Sequence, residues 1–362
     1  MTVVHSGPRR AAAALLSVVL GAVGLVGCGG GSGKPASSAL ISAERCAANR
    51  AAGTITYVSP FGFDASAGII DVFAADKLGY FDDLCLKVRF VTNSFTSAAL
   101  VSEGKATTTS TGSAADFLVL AASGANVTAV ATYGNTSDYC IITRPEITTL
   151  KQLEGHTLGY HGVKEAPDLE MLRAAGVDLD KVKLINTPNY DPNQIVQGHL
   201  DAVGCYQSNE PLTLRAEHAK FNEFTPAQFG VSGTYNVVFF NRDFLTAHRA
   251  AAQDFMRADL HAFAYCEAHE LACVRIEQGY ADRAGADFPV AHERQVWQLE
   301  ATLSREHSLP GRGIGVQTAA EWQPEARAVA DFGLAESVPP LNRVQDTTLV
   351  AELYHGTRLI WP

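Results

Sequence analysis

Glu210 stands in the stretch GCYQSNEPLTL, where the apolar run from Leu200 to Tyr206 ends in a polar corner of Asn209, Glu210 and Pro211. A carboxylate there can serve as a catalytic acid, accept hydrogen bonds from a ligand, or sit in the first turn of a helix, where the macrodipole favours it. A second cluster, HAFAYCEAHELAC, offers His261, Cys266, His269 and Cys273. On one continuous helix Cys266, His269 and Cys273 share a face, as zinc ligands would. That helix also holds the two cysteines about 10 Å apart, beyond disulfide reach. A break near His269 and Glu270 brings them together instead, and in an exported chain the disulfide is the favoured reading. The sequence has no G-x-S-x-G elbow, no phosphate-binding G-x-x-x-x-G-K-[ST] loop and no H-E-x-x-H helix. GRGIGVQ, from Gly311, follows no strand and reads as a loop. No catalytic residue, metal or cofactor is therefore expected.

What recurs is a polar or glycine-rich corner after each apolar run. SPFGFDASAG supplies Phe61, Phe63, Asp64 and Ser66, STGSAAD supplies Ser113, and TYGNTS supplies Tyr133 and Asn135. The second half adds Tyr160 and His161, Asn189 and Tyr190, then Tyr206, Asn209 and Glu210, and finally Tyr235. Plainer roles exist for several: Asp64, Ser66 and Ser113 as helix caps, Tyr133 and Tyr206 as core tyrosines. In an open α/β sheet such corners converge on the crevice beyond the strand ends, where ligands bind. Aromatic walls and free helix N–H groups there suit a small planar or anionic solute.

The elements that must position these corners alternate. TITYVS and LKVRFV have strand character, and SAGIIDVFAADKLGYF places Ile69, Ile70, Phe73, Ala74 and Leu78 at helical spacing with Gly79 as the stop. A helix is expected from about Thr96 to Glu103, and VTAVATY and DYCIITR are strands four residues apart. HTLGYHG, KVKLINTP and LDAVGCY then alternate with the helical APDLEMLRAAGVD and DPNQIVQG, and after YNVVFFN the chain turns mainly helical through Trp322. This predicts an α/β fold of two similar lobes, the last helices returning to the first lobe.

The N-terminus carries Arg9 and Arg10, an apolar run from Ala11 to Val26, and then LVGCGGGSG. The run has the length of a secretory core and is too short to span a bilayer comfortably. Small residues before Cys28 resemble a bacterial lipobox, which implies a signal peptide over 1–27, a lipidated Cys28 and a flexible tether over 28–53. Losing Arg9 and Arg10 moves the formal charge from −10 to −12; an acidic chain with no Lys/Arg run argues against nucleic acid. Of seven cysteines, six then remain to pair. About fifteen pairings exist; Cys46 with Cys85, Cys266 with Cys273 and Cys140 with Cys205 are favoured.

FAADKLGYFDDLCLKVRFV resembles the A-x-x-x-G-Y-F-x-x-x-G-L-x-V signature of NMT1/THI5-like solute-binding proteins. VTAVATYGNTSDYCIITRPEITTLKQLEGHTLGYHG is similar to that family's first crossover and the start of its second lobe, LDAVGCYQSNEP to its N-E-P segment, and YNVVFFNRDFL to the return crossover. HAFAYCEAHELACV matches the place of a turn between two helices, which supports the break at His269. The resemblance implies a two-lobe periplasmic-binding-protein fold of type II. Lobe one would comprise 54–140 and 237–362 and lobe two 141–236, joined by crossover strands near Asp138 to Thr143 and Tyr235 to Phe240. It further implies a monomer, lipid-anchored outside the cytoplasmic membrane, that closes on a small solute and docks on an ABC permease with its ATPase. A riboflavin-like or thiamine-pyrimidine-precursor-like heteroaromatic is the favoured solute, with Glu210 accepting from ring N–H groups and Phe63, Tyr133, Tyr160 and Tyr206 as walls. A sulfonate, nitrate or taurine-like anion is the alternative; less favoured is a surface enzyme using His161 and Glu210 as acid and base.

Overall fold

The computed structural model describes residues 40–92, 96–187 and 191–362, which belong to one compact unit, Ser37–Pro362. Cys28, Asn189 and Tyr190 lie outside the described residues. Ten strands build two sheets: β1 (Thr54–Ser59), β2 (Lys87–Thr92), β3 (Thr108–Thr111), β4 (Val127–Gly134), β5 (Tyr139–Thr143), β6 (Thr157–Tyr160), β7 (Lys183–Asn186), β8 (Ala202–Tyr206), β9 (Asn222–Phe224) and β10 (Tyr235–Asn241). The first sheet runs β2-β1-β3-β10-β4 and the second β7-β6-β8-β5-β9. Each has three parallel strands followed by an antiparallel one that comes from the neighbouring stretch of chain: β10 beside β3, and β5 beside β8. The chain leaves the first sheet between β4 and β5 and returns between β9 and β10. This is the two-lobed α/β architecture that the alternation of elements predicts.

Parallel strands are buried on both faces because their connecting helices cover both. In β1 every residue after Thr54 is buried. Ile55 and Tyr57 face a cluster with Phe255 and Trp297, and Val58 faces another with Phe117, Phe239 and Trp322. The second sheet is divided likewise, Ile141 of β5 lying with Leu158 and Met171, and Cys140 and Ile142 with Val203 and Leu214. Alternate residues of a strand point to opposite faces, so both cores follow from the strand pattern.

Three disulfides form, with the pairings favoured from sequence: Cys46–Cys85, Cys140–Cys205 and Cys266–Cys273. Helix Arg249–Ala268 ends and helix Glu270–Ala284 begins at His269, whose φ of −136° and ψ of 43° break the helical run. The break brings the Cα atoms of Cys266 and Cys273 to 5.5 Å; joined as a disulfide, these sulfurs are not thiolate ligands, and the zinc reading of this cluster gives way. Both helices pack on helix Ile70–Lys77, which returns the C-terminal segment to the first sheet.

Two stretches differ from expectation. Residues 43–51, expected within the tether, form the helix Ala43–Ala51. It is pinned by Cys46–Cys85 and by Asp254, which accepts from Arg45 Nε and Asn49 Nδ2, each at 2.7 Å. The anchor is a fully buried carboxylate some 200 residues away, which local composition does not reveal. The DPNQIVQG helix shrinks to one turn, Asn193–Val196. Among the described residues, no helix is long and apolar enough to cross a membrane.

Candidate functional site

Short loops after β1, β3 and β8, the start of β10 and one C-terminal helix enclose a cavity of about 200 Å³. The loop after β1 contributes Phe61, Asp64, Ser66 and Ile69, and the end of β3 contributes Ser110, Thr111 and Gly112. From the second sheet come Tyr206, Ser208, Asn209 and Glu210, with Asp138 on the segment that leads into β5. Tyr235 and Asn236 of β10 and Glu300 of helix Val290–Glu306 complete the lining.

Seven of the residues singled out in the sequence therefore meet here: Phe61, Asp64, Ser66, Tyr206, Asn209, Glu210 and Tyr235. Glu210 opens helix Glu210–Ala216, is 2% exposed, and accepts from the backbone N–H of Tyr206 at 2.8 Å through Oε2. Its Oε1 has no hydrogen-bond partner among the described residues. Tyr206 meets Phe61 edge to face, ring centroids 5.8 Å apart, across the two lobes. The Tyr235 hydroxyl donates to the Glu300 carbonyl at 2.7 Å. Asn209 Oδ1 lies 2.9 Å from His292 Nε2 of the Val290–Glu306 helix, a second tie between lobes.

The others are placed elsewhere. Phe63 packs on Phe73, ring centroids 5.5 Å apart, in the first core. Ser113 caps helix Ala114–Ala122 by accepting from the Asp116 N–H. Tyr133 is buried, its hydroxyl 2.8 Å from Asp71 and 2.7 Å from Asp259. A phenol has one proton to give, so one of these carboxyls must itself carry a proton; burial pushes Asp259 up to about 7 and raises Asp71 well above the ordinary carboxylate range. The Asn135 side chain donates to the His307 carbonyl. Tyr160 closes β6 outside the cavity lining. The His161 side chain is buried beside Glu165, Nδ1 to Oε1 3.6 Å. It does not line the cavity with Glu210, so the two are not assembled as an acid–base pair.

Sequence reasoning missed Ser110, Thr111, Gly112, Asp138, Ser208, Asn236, Ile69 and Glu300. Glu300 had a signal. It lies seven residues after Glu293 on one helix face, among the buried Val296, Trp297 and Ala301, and carboxylates on an apolar face need partners. Both find them in the loop after β1: Glu293 Oε2 accepts from the Ala65 N–H and Glu300 Oε2 from the Ala67 N–H, each at 2.8 Å. Ser66 Oγ bridges Asp64 and Glu300 at 2.6 and 3.0 Å. Gly112 is a point of close approach between the lobes. A Cβ there would lie 2.5 Å from the Tyr206 hydroxyl and 2.7 Å from that of Tyr139, so Gly112→Ala is expected to hold the lobes apart. Small-angle scattering should show a larger radius of gyration for the variant, with thermal stability lowered by about 1–3 kcal/mol for overpacking.

The electrostatics are one-sided. Four carboxyl groups, Asp64, Asp138, Glu210 and Glu300, line the cavity, and among the described residues no lysine or arginine does. Burial is the main cause of the shifts. It lifts Glu210 to about 8, with help from the charges of Asp64 and Asp138, and lifts Asp138 to about 7 against the hydrogen bond from Ser208. Asp64 and Glu300 are raised for the same reason, and burial lowers His292. At neutral pH such a cavity carries protons on part of its acceptors. It is built to receive donors.

Residues 66–270 match the family model described as NMT1/THI5 like. No curated protein matches the sequence. Among solved structures, the periplasmic aliphatic sulphonate-binding protein SsuA of Escherichia coli is similar at 14% identity, covering 85% of this chain and 94% of that one, with a TM-score of 0.60. The alkanesulfonate-binding protein SsuA of Xanthomonas axonopodis pv. citri, bound to MOPS, is similar at 14% identity over 81% and 98% of the two chains, with a TM-score of 0.60. The periplasmic nitrate-binding protein NrtA of Synechocystis is similar at 11% identity over 83% and 87%, with a TM-score of 0.61. At such identities the likeness is one of fold.

Proposed function

The chain belongs to the NMT1/THI5-like family, and from that premise we propose that it is the extracytoplasmic solute-binding component of an ABC importer. On this reading it is lipid-anchored through Cys28 and captures a small, flat, N–H-rich heteroaromatic between its lobes. Residues 54–140 and 237–362 act as one lobe and 141–236 as the other, closing by hinge motion and then docking on a permease driven by its ATPase.

The observation that carries the ligand class is the cavity lining: Phe61, Tyr206 and Tyr235 as flat walls, four carboxyls as acceptors, and no lysine or arginine among the described residues. Ligand sites of this kind take their affinity from apolar area and their selectivity from a few placed polar groups. Sulfonate and nitrate are what two of the similar solved proteins are named for. An anion here would face Asp64, Asp138, Glu210 and Glu300, and each charge that ionised would repel it. Mass spectrometry of small molecules released from natively purified protein tests the proposal. A flavin or aminopyrimidine is the expected result, and an alkylsulfonate would overturn the ligand class.

A further inference from the structure

We infer that the cavity takes its solute as an organic cation of the amidine or amine class, and that the ion enters in exchange for protons held by Asp138 and Glu210. This rests on the solute-binding role proposed above and specifies the charge of what is bound.

The lining residues include acceptor oxygens that no donor of the protein engages. Glu210 Oε1 and Asp138 Oδ1 have no hydrogen-bond partner among the described residues, although each side chain is 2% exposed. Their second oxygens are already fixed, Glu210 Oε2 by the Tyr206 N–H and Asp138 Oδ2 by Ser208 Oγ at 2.7 Å. The carboxyls are thus held in place with one unpartnered oxygen each. Asn236 adds a third such acceptor, Oδ1, from a side chain 8% exposed. Its backbone sits at φ 47°, a left-handed conformation uncommon outside glycine. A cavity-lining residue that combines backbone strain with an unpartnered amide oxygen is the kind of position where binding function collects. Phe61 and Tyr206 complete the wall with ring faces and edges suited to a delocalised cation.

A buried carboxylate with no counter-charge is costly, so a proton occupies it until a better cation arrives. The charged surroundings offer no substitute. Glu210 faces Asp64 and Asp138; Asp138 faces Asp64, Glu223, Glu300 and the Tyr235 phenol. The nearby imidazole, His292, is biased to its neutral form by burial. A bound cation favours the ionised carboxylates and so lowers their pKa values, and the protons leave to solvent. Affinity therefore rises with pH while Asp138 and Glu210 are protonated in the free protein, and levels off only well above about 8, once Glu210 has ionised as well.

Benzamidine, a flat amidine that stays cationic through neutral pH, is the probe, with neutral benzamide and anionic benzenesulfonate as size-matched controls. Isothermal titration calorimetry at pH 7 in phosphate and in Tris, buffers of different protonation enthalpy, reads the protons exchanged. We expect benzamidine binding to release about one to two protons, and its Kd to fall by up to about tenfold per pH unit for each proton released between pH 6 and 8. Asp138→Asn and Glu210→Gln, which keep shape, should each remove up to about one proton from the count. Binding of benzamidine without proton release overturns the exchange and leaves solute capture standing. Benzamide binding more tightly than benzamidine, or no benzamidine binding at all, overturns the cation. Capture of benzenesulfonate alone overturns both the cation and the ligand class proposed above.

Discussion

Glu210→Gln should weaken benzamidine binding by roughly 30-fold, about 2 kcal/mol, the magnitude of a lost charge-assisted hydrogen bond. The variant should melt no lower than the native protein. The two halves of this expectation have different origins. Gln keeps an oxygen to accept the Tyr206 N–H, so the turn into helix Glu210–Ala216 is preserved. It then places an amide N–H₂ where the open Oε1 stood, presenting donors to a donor. It also removes a group that the neighbouring Asp64 and Asp138 discourage from ionising, which relieves the fold above neutral pH. Calorimetric titration and thermal melts on the same samples separate these effects. Unchanged affinity with lowered stability would reduce Glu210 to the opening residue of a helix.

The second large effect falls on stability. Replacing Cys140 and Cys205 together by alanine should cost about 4 kcal/mol. The estimate follows from the chain entropy that a closure of this length removes from the unfolded state. The bridge spans 65 residues and joins directly paired positions of β5 and β8. It thus fastens the outgoing antiparallel strand to the parallel strands of the second sheet. Cys266→Ala with Cys273→Ala opens a closure spanning only seven residues and should cost about 2 kcal/mol on the same reasoning. Denaturant unfolding of both double variants checks the order. Equal losses would show that local packing, with both sulfurs of each pair buried, outweighs loop length.

How much of the site the sequence reveals is clearest in Tyr206 and Tyr133. Each follows an apolar strand and each is equally eligible for the ligand crevice. Tyr206 lines the cavity, while Tyr133 turns inward to the Asp71–Asp259 pair. Strand periodicity fixes only that successive side chains alternate, and which face meets solvent or the opposite lobe depends on the packing of the sheets. Glu300 shows the complementary loss. It reaches the loop after β1 from more than 200 residues downstream, and a helix of suitable amphipathicity could have packed its acidic positions on either lobe.

The sequence by itself determined the elements and their class. Helical and alternating periodicities and the glycine stops sufficed for two α/β lobes, because these features act between residues close along the chain, and the even set of cysteines favoured three cross-links whose pairing the fold then settled. Only the tertiary structure decided the character of the cavity. Four carboxyls from the loop after β1, the segment before β5, the helix start after β8 and a C-terminal helix converge there, with no lysine or arginine among the described residues. Their shared burial, a property of the assembled lobes that no local pattern encodes, makes them receivers of protons or of a cation.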